Sequence, residues 1–593
     1  MPQLRRPSHS PPNARTLTAI AQDPSVRIGG KILVTELTIP AEELLPGPCG
    51  YRVNVIDYDS STDTLYEPAV YKALPNGHIE DPFALSARMK KSKKRPKGYD
   101  RKLLEDPRFH AQNVYAIVMR TLAQFEFALG RRVPWGSDGH QLHIAPHAFA
   151  DANAFYSRDD RGIFFGYFTG AGGRRVYTCL SHDVVAHETT HAILDGMRER
   201  YMEPSTPDQA AFHEGFADIV ALLSLFSLPD VVGALLDLKA GGGKFIAEKY
   251  LKREALEKSV LLGLAEEMGS EVSAVRGQAL RRSVELEPGK DYMHMPEYRE
   301  EHARGELLVA AMMSAFLEIW LQRLDKIGTF AGGKKDRSLV VEEGARVAGH
   351  LLTMSIRAID YCPPTDIWFS DYLSALLTVD REVVPDQGQY NYRGALLKSF
   401  ADYGIKQARD TDTDGTWRQC KADLLYGRNH FEAMSRDPEE VFRFIWENRR
   451  ALNVREDSYI EVQSVRPSIR IGPDGFVLHE TVAEYIQILT LWTGELRSVL
   501  KIEPPAEIPR NRRIRIFGGG VLIFNEYGQL KYHIPDRLED LERERQIERL
   551  RCLAAQGFFE EPAPARPLTG SQSHFAQLHR ARALGSSFAA RRR

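Results

Sequence analysis

Two histidines four residues apart, His187 and His191, lie inside the apolar run VVAHETTHAIL. A spacing of four brings side chains to one face of a helix, and the flanking Val184, Val185, Ala192, Ile193 and Leu194 require that helix to be largely buried. The chain must therefore fold so that two imidazoles, and Glu188 between them, leave water together. Buried polar groups of this kind are costly unless a metal ion or a hydrogen-bond network satisfies them. A second helical pattern, FHEGFAD, offers Glu214 as a third ligand and Asp218 one turn further on, spaced to accept a hydrogen bond from a ligand imidazole. His187, His191 and Glu214 would leave one position open on a tetrahedral Zn2+, the arrangement of a hydrolytic rather than a structural site. Glu188 is displaced around the helix from the histidines, where it reaches a water on such an ion and not the ion itself.

Longer stretches around these motifs resemble a known family. SHDVVAHETTHAILDG, with Asp183 before the histidines and Asp195 after them, resembles the active-site helix of the thermolysin-like gluzincins. Glu214 and Asp218 in HEGFADIVAL match that family's glutamate ligand and the aspartate behind its ligands. Upstream, Asn153-Ala154-Phe155-Tyr156 and the glycine-bounded strand after it resemble the family's substrate-binding edge, and HAQNVYAIVMRTLAQFEFALGR resembles the helix preceding that edge. Downstream, IRAIDYCPPTDIWFSDYLSALL and LLKSFADYGI resemble its helical C-terminal lobe, so that the likeness covers residues 105–405.

The resemblance implies an α+β fold with a two-lobed, thermolysin-like core: a mixed α/β lobe, a mainly helical lobe and the active-site helix between them. It implies a zinc metalloendopeptidase in which Zn2+ is held by His187, His191 and Glu214, and Glu188 is the general base. It also implies peptide or protein substrates. His302, before the helical run GELLVAA, corresponds to the family's oxyanion-stabilising histidine, and Tyr201 to its assisting tyrosine. Arg281 or Arg282 corresponds to the arginine that binds the substrate carbonyl, and the sequence does not choose between them. Asn153 and Ala154 would bind an extended peptide through backbone and amide groups, and Asp195 joins Asp218 in the layer behind the ligands. The chain departs from the family in three places: the spacing from His302 to the next glycine is one residue shorter, the loop after Tyr201 is longer, and ALLSLFSLPDVV has a single aspartate where the family has calcium-binding acids. A double calcium site is therefore not expected.

The remaining expectations rest on composition and pattern. Lys+Arg 78 against Asp+Glu 80 leaves a net charge of −2, which gives no bulk attraction for nucleic acid or membranes, and neither is expected as a partner. No apolar run reads as a transmembrane span or as the core of a secretory signal, and five scattered cysteines form no CxxC pair, so a reducing cytoplasm is expected. Residues 1–24 read as a disordered leader, 25–104 as a β-rich region and 105–405 as the peptidase core. Residues 406–560 read as an α/β region of unassigned role with two hairpins, and 561–593 as a disordered basic tail. A competing reading is a zinc-binding regulatory or scaffold protein that binds a partner through its C-terminal region with little turnover. Glu188 argues against it, because a scaffold needs no base beside its metal.

Overall fold

Helix boundaries follow capping residues already visible in the chain. The long helix α1, Pro107–Leu129, begins with the Asp106 side chain accepting from the backbone N–H of Arg108 and with proline at its first position. It ends at Gly130, whose φ of 66° is left-handed, and a Cβ on that residue would lie 2.2 Å from the Ile469 carbonyl oxygen. That glycine thus serves both the turn and the approach of a strand from the far end of the chain. The structure, a computed structural model, describes residues 13–555 apart from 26, 29, 75–77, 87–88, 90–94, 138, 171–172, 204, 259–282, 331, 384–390, 472–476 and 539–542. Arg281, Arg282, residues 87–88 and 90–94 of the basic stretch ARMKKSKKRPKGYDRK, the Pro473–Gly475 turn of the first C-terminal hairpin and the segment 561–593 fall outside the described residues.

The fold is α+β. Strand β1, Ala14–Ile20, pairs antiparallel with β2, Val34–Pro40, and both lie against α1. Over residues 13–24 this corrects the expectation of disorder, since Leu17, Ala19 and Ile20 are fully buried, while residues 1–12 of that expectation lie outside the described residues. The reason is tertiary. Asn113 Oδ1 on α1 accepts the Ile20 N–H at 2.9 Å, and Gln112 Nε2 donates to the Thr18 carbonyl at 2.9 Å. A proline- and arginine-rich neighbourhood gives no hint of those partners.

A mixed sheet follows, built from β3 (Val53–Val55), β4 (Leu142–Phe149), β5 (Ala154–Ser157), β6 (Gly162–Thr169) and β7 (Arg175–Tyr177). Strands β3, β4 and β6 run parallel, while β5 and β7 pair antiparallel with successive halves of β6. Helix α2, His182–Met197, then lies between α1 and α3, Pro207–Phe226. Helix α3 in turn packs against α4 (Glu301–Leu324) and α5 (Arg337–Ala358), and α6 (Phe369–Val383) and α7 (Tyr392–Ala401) complete the helical layer. Helices α3 and α4 touch backbone to backbone where Gly215 meets Gly305: a Cβ on Gly215 would lie 3.0 Å from the Gly305 carbonyl oxygen. By length and composition α4 could cross a membrane, but 78% of its most apolar window is buried inside the protein.

The C-terminal sheet runs antiparallel in the order β8 (Tyr459–Ile471), β9 (Val477–Trp492), β10 (Arg513–Phe524), β11 (Leu530–Asp536). Val482, Val521, Ile523, Tyr532 and Ile534 join the main hydrophobic core formed by the earlier helices. Two smaller cores form around α8 (Pro438–Glu447) and α9 (Arg543–Ala555). The seam with the earlier helices is also ionic. Asp360, fully buried, accepts both Arg131 nitrogens at 2.6 Å and Arg470 Nη2 at 2.6 Å. Arg470 Nη1 reaches Glu480 at 2.9 Å, Lys531 joins Glu480 to Glu382, and Arg198 at the end of α2 pairs with Glu484 on β9.

Candidate metal centre

Helix α2 carries the central residues. Asp183 sits in its first turn, where a negative charge complements the helix dipole, and Arg198 follows its last residue. His187, Glu188 and His191 are at most 1% exposed. The two Nε2 atoms face each other at 2.9 Å. Helix α3 starts at a Thr206 cap, whose side chain accepts the Gln209 N–H, with Pro207 in its first turn; this registers Glu214 against α2. Glu214 Oε2 lies 3.6 Å from His187 Nε2 and Oε1 lies 3.5 Å from His191 Nε2. Three side chains from two helices therefore turn their ligand atoms toward one point, and all three are buried. Two imidazoles and one carboxylate in this arrangement could hold a metal ion.

The expected support for the ligands is present on one side. Asp218 Oδ1 lies 2.8 Å from His187 Nδ1. A carboxylate there fixes the proton on Nδ1 and leaves the Nε2 lone pair for a metal. Asp195 plays a different part from the one expected. Its carboxylate accepts the Tyr156 hydroxyl at 2.7 Å and pairs with Arg158, which fastens β5 to α2 rather than orienting a ligand histidine. Burial pushes the Asp195 carboxyl above its ordinary pKa, against the pull of Arg158.

The substrate-edge expectation meets a specific contact. Asn153 and Ala154 lie at the start of β5, Ala154 paired with Phe165 and the Asn153 carbonyl accepting the Gly166 N–H at 2.8 Å. Two residues on, the backbone N–H of Tyr156 donates to Glu188 Oε2 at 3.1 Å. The outer edge of β5 therefore faces the carboxylate between the histidines. Strand periodicity could have found Tyr156, since its N–H points the same way as that of Ala154.

His302 comes to the same place from the first turn of α4. The Gly215–Gly305 contact brings that turn beside Glu214, and His302 Nδ1 lies 3.9 Å from Glu214 Oε2. The side chains of His302 and Asp218 are 11% and 21% exposed, against 2% or less for the three ligand candidates.

Tyr201 corrects the expectation placed on it. Its hydroxyl donates to the Pro363 carbonyl at 2.6 Å, its ring meets Phe212 edge-on, and it is 1% exposed. Burial pushes its hydroxyl pKa well up. The short 3₁₀ turn Glu199–Met202 after α2 drives the side chain into the core, which spacing along the sequence does not reveal. Sequence reasoning missed His213, whose ring stacks on His191 at 4.6 Å and 14°. Its place beside Glu214 on a buried helix was the available signal. Comparison of the chain with protein-family models and with curated proteins finds no match.

Proposed function

We propose that the protein is a zinc-dependent endopeptidase of thermolysin-like architecture. The observation that carries this reading is the Glu188 carboxylate, held by the Tyr156 N–H of an edge strand and seated beside a buried His–His–Glu donor set. A purely structural site has no use for that base. The donor set fits zinc chemically, since two imidazole nitrogens and a carboxylate oxygen are its ordinary ligands in sites that keep a position open. A bound zinc would supply Lewis acidity and lower the pKa of water towards neutrality.

The chain's own residues account for the remaining work. Asp218 holds His187 in the tautomer that presents Nε2. Glu188 takes the proton of the attacking water and returns it to the leaving amine, with its carboxylate oriented by Tyr156. An extended peptide laid along β5 would gain main-chain hydrogen bonds irrespective of its sequence, which positions the scissile bond beside Glu188. His302, with Nδ1 3.9 Å from Glu214 Oε2, is the candidate donor for the developing oxyanion.

The test is Glu188→Gln. Zinc content and fold should be retained, because the amide is close in shape and the residue is not a ligand. Cleavage of a peptide library should fall by about 10²–10⁴-fold, the contribution typical of general acid–base catalysis. Wild-type turnover in this variant would overturn the reading.

A further inference from the structure

A second cluster of buried donors, drawn from α1, β4 and the turn before α2, has no part in the chemistry above. His110 on α1, His147 on β4 and Cys179 in the 3₁₀ turn Thr178–Leu180 are at most 1% exposed, and their ligand atoms all lie within 4.8 Å of one another. His110 Nδ1 faces His147 Nε2 at 2.8 Å. The outward nitrogens of both rings are committed elsewhere. His110 Nε2 lies 3.2 Å from the Leu104 carbonyl oxygen, and His147 Nδ1 lies 3.0 and 2.8 Å from the two oxygens of Asp57.

Those two acceptors decide what the inner nitrogens are. A carbonyl and a carboxylate each require an N–H, so with neutral rings the protons sit outward and two lone pairs point at one another. Lone pairs at that distance repel unless a cation lies between them. A ligand imidazole donating its other N–H to a carboxylate or a backbone carbonyl is the usual support of a metal-bound histidine. Cys179 adds a third donor of the right softness on the same point. The rings of Tyr177, 4.7 and 5.0 Å from His110 and His147, and of Tyr66, 4.9 Å from His147, wall the cluster.

We infer that His110, His147 and Cys179 form a second metal site, for a zinc-class divalent ion, with Asp57 and the Leu104 carbonyl orienting the two imidazoles. Binding converts the Cys179 thiol to a thiolate and releases its proton to solvent. Three protein donors leave a fourth position to a water on a tetrahedral ion. The site ties α1, the mixed sheet and the turn leading into α2 to one ion. Cys179 stands just before the helix that carries His187 and His191, so the ion would act as a clasp at the root of that helix.

The sulfur makes the test independent of the peptidase reading, because the His187–His191–Glu214 set contains none. The full-length protein, stripped by a chelator and reloaded with Co2+, should bind two equivalents per chain and show a thiolate-to-cobalt charge-transfer band in the near ultraviolet. That band should persist in the His187→Ala, His191→Ala double variant, which loses only the other equivalent, and should vanish in Cys179→Ser. X-ray absorption at the zinc edge of the wild-type protein needs no variant and should show a sulfur neighbour at about 2.3 Å. One equivalent with no sulfur signal would overturn the proposal and leave a proton shared by the two imidazoles, with His147 charged against Asp57. A sulfur signal that survives Cys179→Ser would overturn it as well.

Discussion

The His187–His191–Glu214 cluster and the Asp360 network are both buried, both rich in ionisable groups and only a few elements apart, yet their atoms are arranged on opposite principles. At Asp360 every acceptor faces a donor: two guanidinium groups close on one carboxylate, and Arg470 and Lys531 close on Glu480. At the histidines, ligand atoms face each other, two Nε2 atoms at 2.9 Å with carboxylate oxygens 3.5 and 3.6 Å away. The first arrangement pairs each of its carboxylates with cations. The second brings together donor atoms that could hold a metal ion. Burial and perturbed charge alone therefore do not mark a functional site; the pairing of donors with acceptors distinguishes fastening from chemistry.

The largest effect that separates the two is expected at Asp360. Asp360→Ala would leave Arg131 and Arg470 facing each other in the interior, and breaking a buried pair from one side costs about 3–5 kcal/mol. Unfolding should shift by that amount while zinc content per folded chain stays unchanged. The pH dependence has a definite sign. Burial opposes ionisation of Asp360, but Arg131 and Arg470 overcome it and hold its carboxyl well below the ordinary range. A depressed carboxyl contributes stability that is fully present above the unfolded-state pKa of about 3.9 and is lost as pH falls towards the folded value. Denaturation profiles should accordingly converge for the wild type and Asp360→Ala only in strong acid. Loss of metal in Asp360→Ala at neutral pH would show that the two regions are one functional unit.

The same contrast explains what could be read from the sequence. The α+β class, the helices and the His187–Glu188–His191 face were legible because helical periodicity is local and capping residues announce themselves. The network was not, because Arg131 and Asp360 stand 229 residues apart and meet where α5 packs against α1, with Arg470 arriving from the C-terminal sheet. His110 and His147, 37 residues apart, match no spacing motif for the same reason. Strand β1 was hidden because its partners lie on α1. Tyr201 failed in the opposite way: counting from the histidines suggested the site, but a single tight turn sent the ring into the core.

A smaller effect sharpens the boundary of the metal cluster. In the proposed function Asp218 acts by orientation alone, through its 2.8 Å contact to His187 Nδ1. Asp218→Ala should weaken zinc affinity or turnover by about 10–100-fold, because the imidazole loses the acceptor that fixes its tautomer. Asp218→Asn can still present an oxygen and should recover part of the loss. Competition with a chelator of known affinity reads the first number, and an unchanged zinc affinity in Asp218→Ala would return Asp218 to an ordinary helix position.

The smallest effect is expected at Tyr201, which belongs by sequence to the chemistry and by structure to the packing. Tyr201→Phe removes one hydroxyl and leaves the Pro363 carbonyl buried without that donor. The cost should be about 1–3 kcal/mol of stability, the desolvation penalty of one unsatisfied group. The ring contact with Phe212 is retained, so no cavity opens. Turnover at a temperature where both proteins are folded should be unchanged, because a hydroxyl bonded at 2.6 Å to a core carbonyl has no proton to offer a substrate. Had Tyr201 assisted the oxyanion, the same substitution would lower kcat by about 10²–10³-fold. A loss of that size without a change in unfolding would mean that the side chain swings out to the metal cluster when substrate binds, and the line drawn between the two regions would have to move.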